Sequence, residues 1–167
     1  MLILETTHFE VRPFVPEDLA ALCELHFDEA VMRYLVGGVR GTKADVARDL
    51  EGYAESQRRD GFSKWAVVDR ATKRLAGRAG FVRLSTGEID FGYALHRVYW
   101  GKGYGTEIAT ALLDWARANL PDLRALVGLV LPANAASARV LEKIGFHPAE
   151  DALYFGQTMR VFRFTEK

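Results

Sequence analysis

The sequence predicts an α+β fold in which a mixed, mostly antiparallel sheet is flanked by helices. Three strand-like segments, residues 64–68, 75–84 and 88–95, are separated only by short polar turns, which is typical of an antiparallel meander. The third segment leads through a glycine-rich loop directly into an amphipathic helix. Further along, the short and wholly apolar segment 126–131 has the composition of a strand inside a sheet.

The first elements follow from local patterns near the N-terminus. Alternating apolar and polar residues over 9–14 predict a strand, and Pro13 suits an edge position. Pro16 and two acidic residues then open a helix that runs to about Phe27, because negative charge in a first turn complements the helix dipole. Residues 30–35 predict a second, short helix.

The remaining helices and the closing hairpin are marked by their end signals. Glycines at 37–41 indicate a loop, and Thr42 with Asp45 matches a capping motif that starts a helix ending near residue 59. The helix after the glycine-rich loop extends to about residue 119, and residues 134–144 predict another that Gly145 terminates. Residues 154–164 predict a hairpin around Gly156.

The composition is typical of one globular domain covering residues 1–167. Hydrophobic residues make up 49% of the chain and charged residues 26%, as expected for a domain with a substantial core. The 22 basic and 22 acidic side chains cancel, which argues against binding nucleic acid by bulk charge. No apolar run reaches membrane-spanning length and no signal segment is recognisable, so we expect no membrane association and a cytoplasmic protein.

Metal binding is not expected. Cys23 is the single cysteine, which excludes an intrachain disulfide and a cysteine zinc cluster. The four histidines show no ligand spacing with carboxylates or with the cysteine.

The stretch 99–107 is the strongest functional signal in the chain. Three glycines alternate with larger residues between a strand and a helix, which places unpaired backbone N–H groups and the positive end of a helix dipole together. Such a point binds an anion, most often a phosphate. The spacing fits neither the Walker A loop nor the dinucleotide fingerprint, and an ordinary glycine turn before a core helix is the alternative.

This loop resembles the coenzyme A pyrophosphate loop of the GNAT superfamily of N-acetyltransferases, Q/R-x-x-G-x-G/A. Trp100 stands at the Q/R position, with Gly103 and Gly105 at the glycine positions. Tryptophan there departs from the superfamily pattern but is similar to the RimJ/RimL branch of ribosomal-protein N-terminal acetyltransferases. A second motif, residues 134–146, follows at the family's distance, and the order of elements matches the GNAT fold along nearly the whole chain.

The resemblance implies acetyl-CoA as cosubstrate and a set of residues that hold it. Backbone amides of the glycine loop cradle the pyrophosphate, the end of the preceding strand pairs with the pantetheine amides and supplies an oxyanion donor, and an asparagine contacts the pantetheine arm. The amides are those of Gly103, Tyr104, Gly105 and Thr106, and Lys102 can add its charge. The strand end comprises Leu95, Arg97 and Val98, and the asparagine is Asn134. Lys102 can instead be simply solvated, and Asn134 suits a helix N-cap as well as a cosubstrate contact.

Transfer of an acetyl group to an amine also needs a base for the amine and an exit for the thiolate. By resemblance, Asp90 is the base, and Glu88 lies two residues away on the same strand face, so each carboxylate can raise the other's pKa if shielded. A solvated strand face is the alternative. The position of the family's acidic tyrosine holds Leu141, and Ser137 stands where the ribosomal-protein branch places a serine near the thiol; it can equally be an ordinary helix residue.

The acceptor is an amine, and the resemblance favours a protein N-terminus. A polyamine or an amine-bearing antibiotic is the alternative acceptor, and a coenzyme A sensor without catalysis is the alternative class of function. We expect acceptor specificity in the segments 34–41 and 154–158, which carry aromatic residues and glycines but no block of charge. The resemblance also allows a homodimer.

Overall fold

Nine strands form one hydrogen-bonded sheet within residues 1–166, the part of the chain that the computed structural model describes. Their order is β1-β2-β3-β4-β5-β6-β9-β7, with β8 paired to β9. Only β5 and β6 are parallel, so the predicted α+β fold with a mostly antiparallel sheet is confirmed. The strands are Leu4–Glu5 (β1), Phe9–Arg12 (β2), Lys64–Asp69 (β3), Leu75–Arg83 (β4), Ile89–Leu95 (β5), Leu126–Val130 (β6), Phe146–Pro148 (β7), Ala152–Tyr154 (β8) and Gln157–Phe164 (β9).

Five α-helices cover the two faces of this sheet in the described part of the chain. They are Leu19–His26 (α1), Glu29–Met32 (α2), Lys43–Asp60 (α3), Tyr104–Asn119 (α4) and Ala135–Lys143 (α5). The larger core joins α4 and α5 to one face through buried residues such as Ile108, Leu112 and Leu141. A smaller core joins α1, α2 and α3 to the other face, where Ala94 of β5 meets Leu25 and Met32.

The predicted helix end signals are present in the structure. Thr42 and Asp45 form a reciprocal capping box, in which the Asp45 N–H donates to Thr42 Oγ1 over 3.1 Å and the Thr42 N–H donates to Asp45 Oδ2 over 2.9 Å. Gly61 ends the helix in the left-handed conformation, with φ of +79°. At α5, Asn134 is the N-cap and its side chain accepts the Ser137 N–H over 3.3 Å.

Several boundaries near the N-terminus differ from the prediction. The strand predicted over 9–14 ends at Arg12, and Pro13 lies beyond a strand that is paired on both sides rather than at a sheet edge. The helix predicted from Pro16 opens with the 3₁₀ turn Pro16–Asp18, because the Asp18 carboxylate accepts the Val15 N–H over 2.9 Å and tightens this turn. The short strands β1 and β7 were missed, since two or three residues carry too little periodicity.

Glycines in β4 allow neighbouring strands to pack closely, and they do not break the strand. A Cβ atom on Gly77 would lie 2.0 Å from the Ala94 carbonyl oxygen, and one on Gly80 would lie 2.0 Å from the Ser63 carbonyl oxygen. Only a residue without a side chain fits at these points. Gly80 also lies opposite Gly92 of β5, so these two neighbouring positions of the sheet carry no side chains.

The parallel pair β5 and β6 separates soon after it forms. Its register contains only two residue pairs, Ile89 with Leu126 and Asp90 with Val127. The remainder of β5, from Phe91 to Leu95, therefore has no partner strand on that edge among the described residues. A cleft opens where the strands diverge, and it reaches both faces of the sheet.

Candidate active site

The cleft between β5 and β6 contains two adjoining cavities. The Asp90 cavity, of about 410 Å³, lies toward β3 and β4, and the glycine-loop cavity, of about 420 Å³, lies toward the first turn of α4. Both are lined by Tyr34, Leu35, Tyr93, Asn134 and Ser137. Volumes of this size are typical of small-molecule sites.

The glycine loop presents free backbone donors to its cavity. Gly101 and Gly103 have φ of +74° and +79°, and a Cβ atom on either would meet no atom within 4 Å. The first hydrogen bond of α4 runs from the Glu107 N–H to the Gly103 carbonyl oxygen over 3.1 Å. Within residues 1–166, the N–H groups of residues 104–106 have no protein acceptor, as expected at a helix start. This arrangement is that of an anion site.

Two further side chains, Trp100 and Asn134, shape the glycine-loop cavity. Trp100 donates its indole N–H to the Leu95 carbonyl oxygen over 2.9 Å, which holds the loop against the end of β5. Asn134 uses its side-chain oxygen to cap α5. Its amide nitrogen has no partner among the described side chains and backbone groups, and Asn134 lines both cavities.

Asp90 lies on the Asp90 cavity beside a lysine. Its carboxylate is 3.9 Å from Lys64 Nζ, and their side chains are 23% and 11% exposed. Lys64 lies over the Gly80–Gly92 row and donates to both of these carbonyl oxygens, over 3.2 and 3.4 Å. Burial raises the pKa of Asp90, although the cations Lys64 and Arg78 oppose this effect. Burial also lowers the pKa of Lys64 to about 8.

Tyr93 stands at the junction of the two cavities. A Cβ atom on Gly105 would lie 2.7 Å from the Tyr93 hydroxyl oxygen, so this hydroxyl packs directly against the first turn of α4. Burial raises the pKa of Tyr93, and the nearby Ser137 hydroxyl partly offsets this rise. Tyr93 and Ser137 both lie on the walls of the two cavities.

Comparison with known proteins identifies the family. Residues 8–147 match the family described as an acetyltransferase (GNAT) domain. The chain belongs to this family, and it is an N-acetyltransferase. The uncharacterized protein YkkB of Bacillus subtilis is 32% identical over 168 residues, covering 95% of this chain and 93% of YkkB.

Solved structures share the GNAT fold along almost the full chain. An acetyltransferase from Agrobacterium tumefaciens is 26% identical, with a TM-score of 0.81 and coverage of 98% of this chain and 94% of that one. RimL, a ribosomal L7/L12 α-N-protein acetyltransferase in complex with coenzyme A, is 20% identical, with a TM-score of 0.79 and coverage of 97% and 95%. At this identity, RimL supports the fold alone.

The structure does not bring Glu88 into the cleft, so the predicted mutual raising of the pKa values of Glu88 and Asp90 is wrong. Glu88 precedes β5 and accepts hydrogen bonds from Tyr154 over 2.7 Å, Arg163 over 2.5 Å and Thr86 over 2.9 Å. Burial favours a higher pKa of Glu88, but these donors outweigh it and lower the pKa. Glu88 thus ties the β8–β9 hairpin to the start of β5.

Six predicted cosubstrate contacts do not line either cavity. Gly103, Tyr104 and Thr106 belong to the glycine loop and the first turn of α4. Arg97 and Val98 are on a 3₁₀ turn beyond the end of β5, where Arg97 pairs with Asp28 over 2.9 Å and the Val98 side chain is exposed. Lys102 is exposed on the loop. By contrast, Leu95, Gly105, Asn134 and Ser137 line the glycine-loop cavity.

Sequence patterns missed Tyr53 on α3 and three polar side chains on the strands of the cleft, namely Lys64, Arg78 and Tyr93. Each of the latter three lies in an apolar strand segment and looks like an ordinary strand residue, so no local signal marks it. Both segments expected to contact the acceptor do reach the Asp90 cavity, through residues 34–37 and Phe155. Among the described residues, no group of three His, Cys, Asp or Glu side chains is arranged to hold a metal ion, and no helix is long and apolar enough to cross a membrane.

Proposed function

We propose that this enzyme transfers an acetyl group from acetyl-CoA to a primary amine, and that the natural acceptor is a protein N-terminus, as in the RimJ/RimL branch. The observation that carries the proposal is the divergence of β5 and β6, which connects an anion site at one end to Asp90 at the other. RimL, which has the same fold, binds coenzyme A and acts on a protein α-amine.

The residues of the glycine-loop cavity fit coenzyme A. The free N–H groups of Tyr104, Gly105 and Thr106, next to the open space over Gly103, suit a pyrophosphate. The unpaired edge of β5 and the free amide nitrogen of Asn134 suit the amides of the pantetheine arm. Acetyl-CoA, when bound, supplies an acetyl group activated as a thioester.

Asp90 is the general base in this proposal. An N-terminal α-amine has a pKa near 8, whereas a lysine amine is near 10.4, so less work is needed to deprotonate a protein N-terminus. Asp90 faces the cavity and takes the proton, while Lys64 at 3.9 Å stabilises its ionised form. The raised pKa of Asp90 suits this role, because a base works best when its pKa approaches the working pH.

Tyr93 and Ser137 assist the departing thiolate. The position of the usual family acid holds Leu141, whose side chain is buried against Gly128. Tyr93 stands at the junction of the cavities instead, and Ser137 lines the same two cavities. Because a thiol has a pKa near 8.5, a hydrogen bond to sulfur is sufficient and full protonation is dispensable.

The proposal is tested with Asp90→Asn and a peptide acceptor. The variant keeps its affinity for acetyl-CoA in calorimetry, because the carboxylate lies outside the glycine loop. Its turnover at neutral pH falls by about 10²- to 10³-fold, the usual effect of losing a general base, and higher pH restores part of the loss. Glu88→Gln is the matched control and stays near the wild-type rate. Wild-type rates for Asp90→Asn from about pH 6 to about pH 9, a range that brackets the α-amine pKa, would exclude Asp90 as the base.

A further inference from the structure

We propose that the acceptor amine also carries a carboxylate and that Arg78 binds it. This inference rests on the proposed function, since it describes the substrate of the same cleft. It is drawn from the position of Arg78, from the balance of charge in the Asp90 cavity, and from the charge that an amine brings with it.

Arg78 is fixed in position on the wall of the Asp90 cavity. It lies on β4, opposite Ala94 of β5 and one side-chain row away from the Gly80–Gly92 row that supports Lys64. Its Nη1 donates to the Tyr53 hydroxyl over 2.5 Å. The Tyr53 ring is stacked on Phe14, with centroids 5.5 Å apart. The guanidinium is therefore oriented before any substrate arrives.

Arg78 differs from the other cations of this cavity in having no acidic partner. Arg40 pairs with Asp49 over 3.0 Å, and Lys64 lies 3.9 Å from Asp90. Across residues 1–166, no carboxylate lies within ion-pair distance of Arg78. The cavity lining thus contains three cations, Arg40, Lys64 and Arg78, and one carboxylate, Asp90. Asp49 pairs with Arg40 from outside the lining, so one positive charge is left in excess. One guanidinium nitrogen of Arg78 donates to Tyr53, and the remaining N–H groups of Arg78 can donate to a ligand.

This excess charge selects the acceptor. A simple amine enters as an ammonium ion and is repelled by a cavity that is already positive. An amine that carries its own carboxylate enters without net charge. Its carboxylate neutralises Arg78 by accepting bidentate, charge-assisted hydrogen bonds from the guanidinium group. An N-terminal aspartate or glutamate of a peptide has this chemistry, and so does a free amino acid.

The experiment compares acceptors that differ only in one charge. Amidated peptides beginning with Asp or Asn, and with Glu or Gln, are assayed alongside free glutamine and its α-amide, with acetyl-CoA saturating. For wild-type enzyme we expect kcat/KM to favour the peptides with the carboxylate by about 10- to 100-fold, the range of a hydrogen bond to a charged group. A larger preference among the free amino acids than among the peptides would identify a small molecule as the source of the carboxylate.

Variants of Arg78 assign the preference to this residue. In Arg78→Gln the ratio of the acidic to the amide acceptor falls toward one, and Arg78→Lys, which keeps the charge but loses the planar fork, gives an intermediate ratio. Arg58→Gln, on the exposed surface of α3 where Arg58 pairs with Glu55, is the control and keeps the wild-type ratio. If Arg78→Gln does not fold, Arg78→Lys and the wild-type panel still decide the question.

The possible failures are distinguishable. Wild-type enzyme that acetylates amide and acid acceptors equally well would overturn the inference and leave the proposed function intact. A preference that survives in Arg78→Gln would show that another group binds the carboxylate, and it would overturn the assignment to Arg78. Absence of turnover with every amine would overturn the proposed function itself.

Discussion

Removal of the Lys64 charge should shift the pH dependence of catalysis. Lys64 Nζ is 3.9 Å from the Asp90 carboxylate, and it counteracts the rise that burial causes in the pKa of Asp90. In Lys64→Met this opposition is lost, so Asp90 holds its proton to higher pH. The ionised, proton-accepting form of the base then becomes scarcer in the acidic range, and the acid limb of kcat/KM moves to higher pH.

The size of this effect follows from the distance. Two unit charges at 3.9 Å attract by about 1 kcal/mol at the dielectric constant of water and by about 4 kcal/mol at an effective value of 20. Since Asp90 is 23% exposed to the cleft, the true value lies between these limits. Even the lower limit reduces the ionised fraction of Asp90 about fivefold on the acid limb.

The assay is kcat/KM against pH for wild-type enzyme, Lys64→Met and Lys64→Arg, with one peptide acceptor. Titration of the acceptor amine is common to all three profiles and cancels from their ratios. Lys64→Arg keeps the charge and should retain the wild-type acid limb. Thermal melting checks the fold. We expect Lys64→Met to be less stable than the wild-type enzyme, because removing one partner of a buried pair leaves the charge of Asp90 uncompensated. An unchanged acid limb in folded Lys64→Met would refute the coupling of Lys64 to the base.

Two further predictions concern the loop and the stability. Gly105→Ala places a Cβ atom 2.7 Å from the Tyr93 hydroxyl oxygen and displaces the Tyr93 ring. Turnover should then fall by up to about 10²-fold, and Tyr93→Phe should show a similar loss. Wild-type turnover in Gly105→Ala would contradict this account. His26 is fully buried and burial lowers its pKa, against the opposing effect of Asp49. The folded state therefore binds fewer protons below the unfolded pKa of about 6.5, and the free energy of unfolding should fall as pH drops below that value and through the folded pKa. Denaturant titrations should show a shallower fall in His26→Gln, and equal slopes would contradict this account.

Much of the fold follows from local sequence because its signals are local. The capping box of Thr42 and Asp45, the left-handed Gly61 and the Asn134 cap each involve residues within a few positions of one another. The strand, glycine loop and helix around Gly103 are likewise contiguous, so the proposed anion site at the start of α4 could be predicted from the chain. Glu88 shows the limit of such reasoning, because its partner Arg163 is 75 residues away along the chain.

The chemistry of the cleft depends on distances that no local pattern contains. Lys64, Arg78 and Asp90 lie on three different strands, and they meet only because antiparallel pairing aligns β3, β4 and β5 in register over a pair of glycines. The sequence by itself determined the α+β class, the resemblance to GNAT enzymes and the candidates Asp90, Asn134 and Ser137. Tertiary structure decided which groups share the cleft, since burial and charge act through space: it paired Asp90 with Lys64, removed Glu88 from the site and left Arg78 without an acidic partner.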